Sequence, residues 1–373
     1  MRTNKILGMV FPNTHDELIY ELTEKRATGS IPFGARYRMI DFSLSNLVNA
    51  RISKVCIITK SNYQSLMNHL GNGKPWDLDR KNGGIYILSP FSTGNAGVYS
   101  NHIEAIYGAM EFIKNSSEEY VILCDADVVM NFDVEDMVRQ HSKTNADITV
   151  CYKNGQLPKK HLDTMSLQVD SQGRVVDILV SEQTDRPRDF SLDVILLSKQ
   201  LLIRLIEDAH SRNEKNFARD VMQKNVQRLK IFGYKTDDYA VVIDSLACYY
   251  NTHFDLLENP DKRRQLFTSQ RPIYTKTRDD MPTKYGLHSN VAGSLIADGC
   301  KIDGTVIDSV ISRGVSIGEN AVVKNCIILE DSVVGSGARL DNVIVDKLVR
   351  IKPEERLAGT RHNPMYFHKN TDD

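Results

Sequence analysis

Gly318-Glu319-Asn320-Ala321-Val322-Val323-Lys324-Asn325-Cys326-Ile327-Ile328 is followed 17 residues on by Gly335-Ser336-Gly337-Ala338-Arg339-Leu340-Asp341-Asn342-Val343-Ile344-Val345. The period reaches backward as well, since Asp308-Ser309-Val310-Ile311 matches Asn325-Cys326-Ile327-Ile328. The aliphatic positions advance by six within each unit: Ile311, Ile317, Val323, then Ile328, Val334, Leu340, then Val345, Ile351. Short strands at that step, three to a turn with one residue dropped, describe a triangular parallel β-helix that buries aliphatics inward and stacks rung on rung. Many such solenoids transfer acyl groups with a histidine as base, but no histidine lies between His288 and His362. Scaffolding or subunit contact is therefore the expected work of this coil, because an open solenoid end needs covering.

Upstream, residues 268–290 carry Pro272, Pro282 and Gly286 with few apolar positions, and read as a linker between residues 1–267 and a coil domain with tail at 291–373. From residue 5 to about 150, strand-like runs alternate with helical spacing. The strands are 5–11, 54–59, 85–88 and 120–124; Ile40, Leu44, Leu47 and Val48 share one helical face, as do Ile103, Ile106, Tyr107, Met110 and Ile113. This alternation predicts an α/β, doubly wound, Rossmann-like sheet, mostly parallel, with ligands at the carboxyl ends of its strands. Residues 147–267 extend it through a strand at 148–151, a hairpin across Ser171-Gln172-Gly173, a strand at 192–197 and helices near 199–209 and 245–258.

With 373 residues, 41% of them hydrophobic, the chain is long enough for two or three domains. Lys+Arg 47 against Asp+Glu 48 gives a net charge of -1, which offers no basic excess for nucleic acid or an anionic membrane. Cys56, Cys124, Cys151, Cys248, Cys300 and Cys326 form no C-x-x-C pair and read as thiols of a reducing compartment. No signal-peptide layout and no apolar run of roughly 18 residues is present, so a cytoplasmic protein is expected.

The chemistry-bearing segments lie in the first domain. The first strand runs into Pro12-Asn13-Thr14-His15-Asp16-Glu17-Leu18, and no glycine lies between Gly8 and Gly29. Backbone N–H groups wrap a triphosphate only where the chain turns tightly without a Cβ in the way; here Pro12 removes a donor while Asp16 and Glu17 add negative charge. Asp125-Ala126-Asp127 ends a strand, where hard-oxygen metal ligands belong, although a solvated turn has the same composition. Asp133 reads as the N-cap of a helix over 134–145. Lys25-Arg26 with Arg36 and Arg38 flank Pro32-Phe33-Gly34, a cluster suited to phosphate or, equally, to ion pairs with Glu21, Glu24 and Asp41. The loop from Gly71 to Arg80 holds the only tryptophan, Trp76, next to Asp77, and a polar loop with an aromatic anchor is a candidate substrate-pocket element.

Three of these segments carry a resemblance: Pro32-Phe33-Gly34-Ala35-Arg36-Tyr37-Arg38-Met39-Ile40-Asp41-Phe42-Ser43-Leu44-Ser45-Asn46, Gly71-Asn72-Gly73-Lys74-Pro75-Trp76-Asp77-Leu78-Asp79-Arg80-Lys81-Asn82-Gly83-Gly84, and Glu104-Ala105-Ile106-Tyr107-Gly108. They closely resemble glucose-1-phosphate adenylyltransferase, the ADP-glucose pyrophosphorylase of glycogen synthesis, and the likeness spans nearly the whole chain, including that family's C-terminal left-handed β-helix. The resemblance implies attack of glucose 1-phosphate on the α-phosphate of ATP, with Mg²⁺ held by two aspartates.

Position by position, the match fails where that chemistry is done. The family's G-G-x-G-x-R-L loop falls on Met9 to Leu18, with neither its glycines nor its arginine, and K-P-A-x-P reads Thr28-Gly29-Ser30-Ile31-Pro32. The first metal aspartate survives as Asp127, with S-G-D-H reading Asp125-Ala126-Asp127-Val128. The second, which opens D-V-G-T, falls on Val242-Ile243-Asp244-Ser245, so Asp244 replaces it only through a two-residue strand shift. The sugar-phosphate motif E-E-K-P is unrecognisable in Ser181-Glu182-Gln183-Thr184-Asp185.

Losing the phosphate loop, a metal ligand and a substrate lysine removes positioning and charge stabilisation together. The resemblance therefore points to the family's non-catalytic regulatory subunit. It implies no intact catalytic set and no cofactor needed by this chain alone, Mg²⁺ belonging to an active catalytic partner in a hetero-tetramer, with a homo-oligomer as the state of the chain by itself. Lys25, Arg26 and Arg38 match positions that bind anionic small-molecule activators in relatives. The alternatives are an active sugar-phosphate nucleotidyltransferase with a rebuilt ATP loop, and a glycosyltransferase using Asp125-Ala126-Asp127 as a D-x-D metal motif.

Overall fold

The computed structural model describes residues 2–89, 99–161 and 163–368. Gly84–Leu88, Lys54–Ile58, Ile6–Phe11 and Tyr120–Asp125 lie side by side in that order, all parallel, with Phe11 opposite Asp125 at the carboxyl end. Alternate side chains leave opposite faces of a strand, and both faces here are buried. Leu7, Met9 and Phe11 pack with Ile103, Ile106 and Ile113 and with the helix Lys199–Ser211, while Ile6 and Val10 pack with Ile40, Leu44, Leu47 and Leu66 on the other side. The helical spacing read from the sequence is what covers the sheet.

Beyond Tyr120–Asp125 the sheet becomes mixed: most pairs are antiparallel, while Ile231–Lys235 runs parallel to Ile148–Gly155. The long strand Arg188–Ser198 pairs Val194 with Cys124 on one side and Ile195 with Val150 on the other. No crossover helix intervenes in the hairpin of Met165–Val169 with Val175–Val180, so those strands run in opposite directions. A register shift between Ser191 and Ile195 lifts Asp193 out of the ladder at φ 51°.

The C-terminal coil is three parallel sheets of five strands, beginning at Lys284–Tyr285, Asn290–Ala292 and Leu295–Ile296. Ile311, Ile328 and Val345 stack in one sheet, Ile317, Val334 and Ile351 in another, and Val323 on Leu340 in the third. Asp308, Asn325 and Asn342 turn successive corners at φ 45°, 49° and 54°, a left-handed backbone that short polar side chains tolerate. Val310, Ile327 and Ile344 of the coil share an apolar core with Tyr249, Tyr250 and Phe254 of the helix Leu246–Glu258. Coil and first domain are thus packed together. No helix among the described residues is long and apolar enough to cross a membrane. The six cysteines are free thiols, all buried except the half-buried Cys248.

Candidate functional site

Asp125 and Asp127 sit at the carboxyl end of the parallel strands, 4% and 3% exposed. Their placement follows from pairing: Ala126 donates its N–H to Phe11 O at 3.1 Å, and Asp127 O accepts from Ile243 N at 2.9 Å. Val128–Met130 then pairs antiparallel with Ala240–Val242. Val242 faces Val128 in that ladder and brings no oxygen. Asp244 lies beyond it, its carboxylate accepting from Lys160 N at 3.1 Å and from Ser245 Oγ at 2.9 Å, next to the Ser245 cap of the following helix.

The segment after the first strand closes on its own carboxylate. Asp16 Oδ1 accepts from Thr28 N at 2.8 Å and from Thr28 Oγ1 at 2.7 Å, and Asp16 Oδ2 accepts from Asn13 Nδ2 at 2.8 Å. Gly29 donates its N–H to Pro12 O at 2.9 Å, and a Cβ at Gly29 would fall 2.7 Å from the Pro12 Cβ. This fold-back delivers His15 to the strand end. His15 Nδ1 stands 2.7 Å from Asp127 Oδ2, and His161 Nε2 stands 3.1 Å from His15 Nδ1 and 3.6 Å from Asp127 Oδ2. His102, in the first turn of the helix His102–Gly108, holds Asp125 through Nε2 at 2.9 and 3.1 Å. Asp193 Oδ2 lies 3.8 Å from His161 Nε2. A pocket of about 40 Å³ lined by His15, His102, Asp125, His161 and Asp193 with Phe11, Met165 and Phe217 adjoins Asp127.

Charge and burial oppose each other here. Burial pushes Asp127 up, yet its contacts with His15 and His161 outweigh this and hold it well below the usual carboxylate range. Burial pulls His161 down, but the Asp127 hydrogen bond and the charges of Asp193, Asp127 and Asp125 carry it to about 9. Asp193 is pushed up to about 6, first by burial and then by Asp125 and Asp127 against the pull of His161.

Mg²⁺ demands oxygen ligands in a near-octahedral set. Around Asp127 the neighbouring donors are two imidazoles, Asp125 is engaged by His102, and among the described residues His15, Asp127 and His161 are the only group converging closely enough to hold an ion. Asp244 is not part of it. This donor set does not fit Mg²⁺.

The remaining sequence candidates lie elsewhere. Lys25 is exposed. Arg26 reaches the coil, its Nη2 2.7 Å from Asp346 Oδ2. Arg38 donates Nη1 to Ser65 Oγ at 2.9 Å, and its Nη2 lies 3.5 Å from Glu330, which also pairs with Lys347 at 2.7 Å. Glu21, Glu24 and Asp41 are thus not the ion-pair partners of the Arg26 and Arg38 side chains; Asp41 instead caps the helix Met39–Asn49 and faces His69 at 2.6 Å. Burial lowers the Arg38 pKa, and burial together with Arg38 lowers Lys347 to about 8. Trp76 is 1% exposed, edge-on to His69, and lines with Asp77, Arg51 and Arg80 a hollow sharing no residue with the His15 pocket.

Sequence reasoning missed His15, His102, His161 and Asp193. His15 was in plain view, in a loop following a strand whose parallel neighbour ends in carboxylates. His161 and Asp193 sit in a connection and a bulge that carry no periodic signal.

Residues 17–177 match the Nucleotidyl transferase family, and residues 281–363 match the GlmU-like C-terminal hexapeptide family, whose repeat is the left-handed β-helix seen as three sheets above. The chain is 33% identical to glycogen biosynthesis protein GlgD of Bacillus subtilis (strain 168), over 99% of this chain and 97% of the relative. It is 35% identical to glycogen biosynthesis protein GlgD of Geobacillus stearothermophilus over the same shares. It is 31% identical to glucose-1-phosphate adenylyltransferase of Thermosipho africanus (strain TCF52B), over 81% of this chain and 74% of the relative.

Proposed function

Because this chain belongs to the family of glucose-1-phosphate adenylyltransferases and glycogen biosynthesis protein GlgD, its role lies in glycogen synthesis, and we propose that it acts there as a catalytically impaired, regulatory subunit beside an active partner. The observation that carries the reading is His15 on Asp127: the carboxylate that a metal would need is fastened to the segment that would have to wrap ATP. Adenylyl transfer is mostly positioning and charge stabilisation, and both means are occupied.

Two further features support a subunit role. The first turn of the coil is an open sheet edge, and Leu287, Met281 and Tyr285 beside it are 99%, 83% and 52% exposed, an apolar surface suited to another chain. The cluster of Arg26, Arg38 and Lys347 against Asp346 and Glu330 leaves two donors, Arg26 Nη1 and Arg38 Nε, and one acceptor, Asp346 Oδ1, buried without a partner among the described residues. Surplus donors of this kind suit an anionic effector, with Lys25 at the rim. An effector bound there would bear on the contact between coil and first domain, which is how it would bias two states of an oligomer.

The test is to mix the purified chain with a catalytic glucose-1-phosphate adenylyltransferase subunit and follow complex size and turnover with ATP, glucose 1-phosphate and Mg²⁺. A hetero-oligomer whose kcat or KM differs from that of the catalytic subunit alone is expected. Failure to associate at any ratio would overturn the reading.

A further inference from the structure

We propose that His15, His161 and Asp127 form a site for a borderline divalent transition cation, with Zn²⁺ as the reference ion, in place of the Mg²⁺ that this strand end would carry in an active relative. Three Lewis-basic atoms meet here: His15 Nδ1, His161 Nε2 and Asp127 Oδ2, separated by 2.7, 3.1 and 3.6 Å. A ring nitrogen carries either one proton or one lone pair in its plane, so a single proton on His15 Nδ1 serves one neighbour and leaves the other contact unmet.

A cation serves all three. From those separations a point in their plane lies about 1.9 Å from each atom, so an ion about 0.8 Å out of the plane is about 2.0 Å from every donor, the Zn–N and Zn–O distance.

Two independent features point the same way. Asp127 is 3% exposed and its Oδ1 has no hydrogen-bond partner among the described residues, which leaves a buried carboxylate oxygen facing unmet demand. Thr164 Oγ1 lies 2.9 Å from His161 Nδ1 and also donates to His161 O at 2.9 Å. The hydroxyl proton is thereby spent on the carbonyl, so Nδ1–H donates to the hydroxyl and Nε2 is the ring nitrogen turned toward Asp127, free to bind a cation that displaces its proton; metal-bound imidazoles are oriented by an outer partner in the same way. Two imidazoles and one carboxylate with an open fourth position select zinc-like ions over Mg²⁺ or Ca²⁺. The adjoining pocket of about 40 Å³ has room for one water as fourth ligand, within reach of Asp193. An ion here ties together the segment after the first strand, the end of a central strand and His161. It would lock the would-be nucleotide loop shut whether or not the chain turns over substrate.

The test uses the full-length chain, stripped with chelator, and Zn²⁺ or Co²⁺ alone as probe. Calorimetry and native mass spectrometry are expected to show one Zn²⁺ per chain, undisturbed by millimolar Mg²⁺, and Co²⁺ should give the intense visible bands of a four-coordinate N/O site. His15→Ala and His161→Ala should each weaken binding by more than about 100-fold, and Thr164→Val, which removes no ligand and serves if the others fold poorly, by about 10-fold or more. No uptake by the native chain, uptake unchanged in these variants, or displacement by Mg²⁺ at comparable concentration would each overturn the proposal.

Discussion

His15 Nδ1 lies 2.7 Å from Asp127 Oδ2, a contact that joins the segment following the first strand to the carboxylate at the end of its neighbour. In an adenylyltransferase these two places must stay open, one for phosphates and the other for their metal. Here they close on each other, and the consequences can be measured.

Asp127→Ala removes the acidic partner of a buried cluster and leaves His15 and His161 without it. Breaking a buried charged pair costs on the order of 3 kcal/mol. Urea unfolding should show that loss, while turnover of a hetero-oligomer containing the variant should match that with the native chain. Abolished turnover in an otherwise folded assembly would mean that Asp127 is catalytic.

Gly29→Ala probes the closed loop from its other side. The new Cβ would lie 2.7 Å from the Pro12 Cβ and 3.3 Å from the Ala126 Cβ, so overpacking should destabilise the chain by about 1–3 kcal/mol. In an open loop the substitution would be neutral, and a thermal melt distinguishes the two.

Arg26 and Asp346 form a salt bridge between the first domain and the coil, side chains 9% and 13% exposed. Arg26→Met should cost on the order of 3 kcal/mol by leaving Asp346 buried and unpaired, and Asp346→Leu added to it should restore most of the loss. Arg38→Met should cost less, because the Arg38 to Glu330 separation is 3.5 Å and Glu330 keeps Lys347. A double-mutant cycle read by urea unfolding checks the ordering.

His253 sets a pH dependence. Burial pulls its pKa to about 4, against the upward effect of its hydrogen bond to Tyr249 O, and its Nε2 accepts the Gly34 N–H at 3.0 Å. The unfolded chain takes up a proton near 6.5 while the folded chain refuses it until about 4. Its contribution is therefore complete above 6.5 and lost as pH falls toward 4, about 2 kcal/mol by pH 5. His141, lowered to about 4 chiefly by burial, adds in the same direction. Unfolding free energies between pH 7 and 5 should show the slope, and His253→Gln should flatten it.

The coil was legible because its geometry repeats: every inward position recurs, so the repeat alone places Ile311, Ile328 and Val345 on one another. The parallel half of the sheet was legible for the same reason, through alternation of apolar strands with helical faces. The mixed half beyond Ile148 was only partly so, because Arg188–Ser198 chooses its two neighbours by tertiary packing and not by local pattern. The missing glycine loop at Pro12 to Leu18 could be read from residue types, and the loss at Val242 only from the family resemblance. Their replacement could not. His15 meets His161 across 146 residues, and Arg26 finds Asp346 across 320, separations over which sequence carries no positional signal. Trp76, an aromatic in a polar loop, is 1% exposed, packs edge-on against His69 and lines a hollow with Asp77, a placement that no local pattern announces.

The most direct measurement is pyrophosphate release by the purified chain alone, supplied with ATP, glucose 1-phosphate and Mg²⁺ and compared with an Asp127→Ala variant. The account predicts no release above background from either protein. Robust release by the native chain that disappears in Asp127→Ala would contradict it.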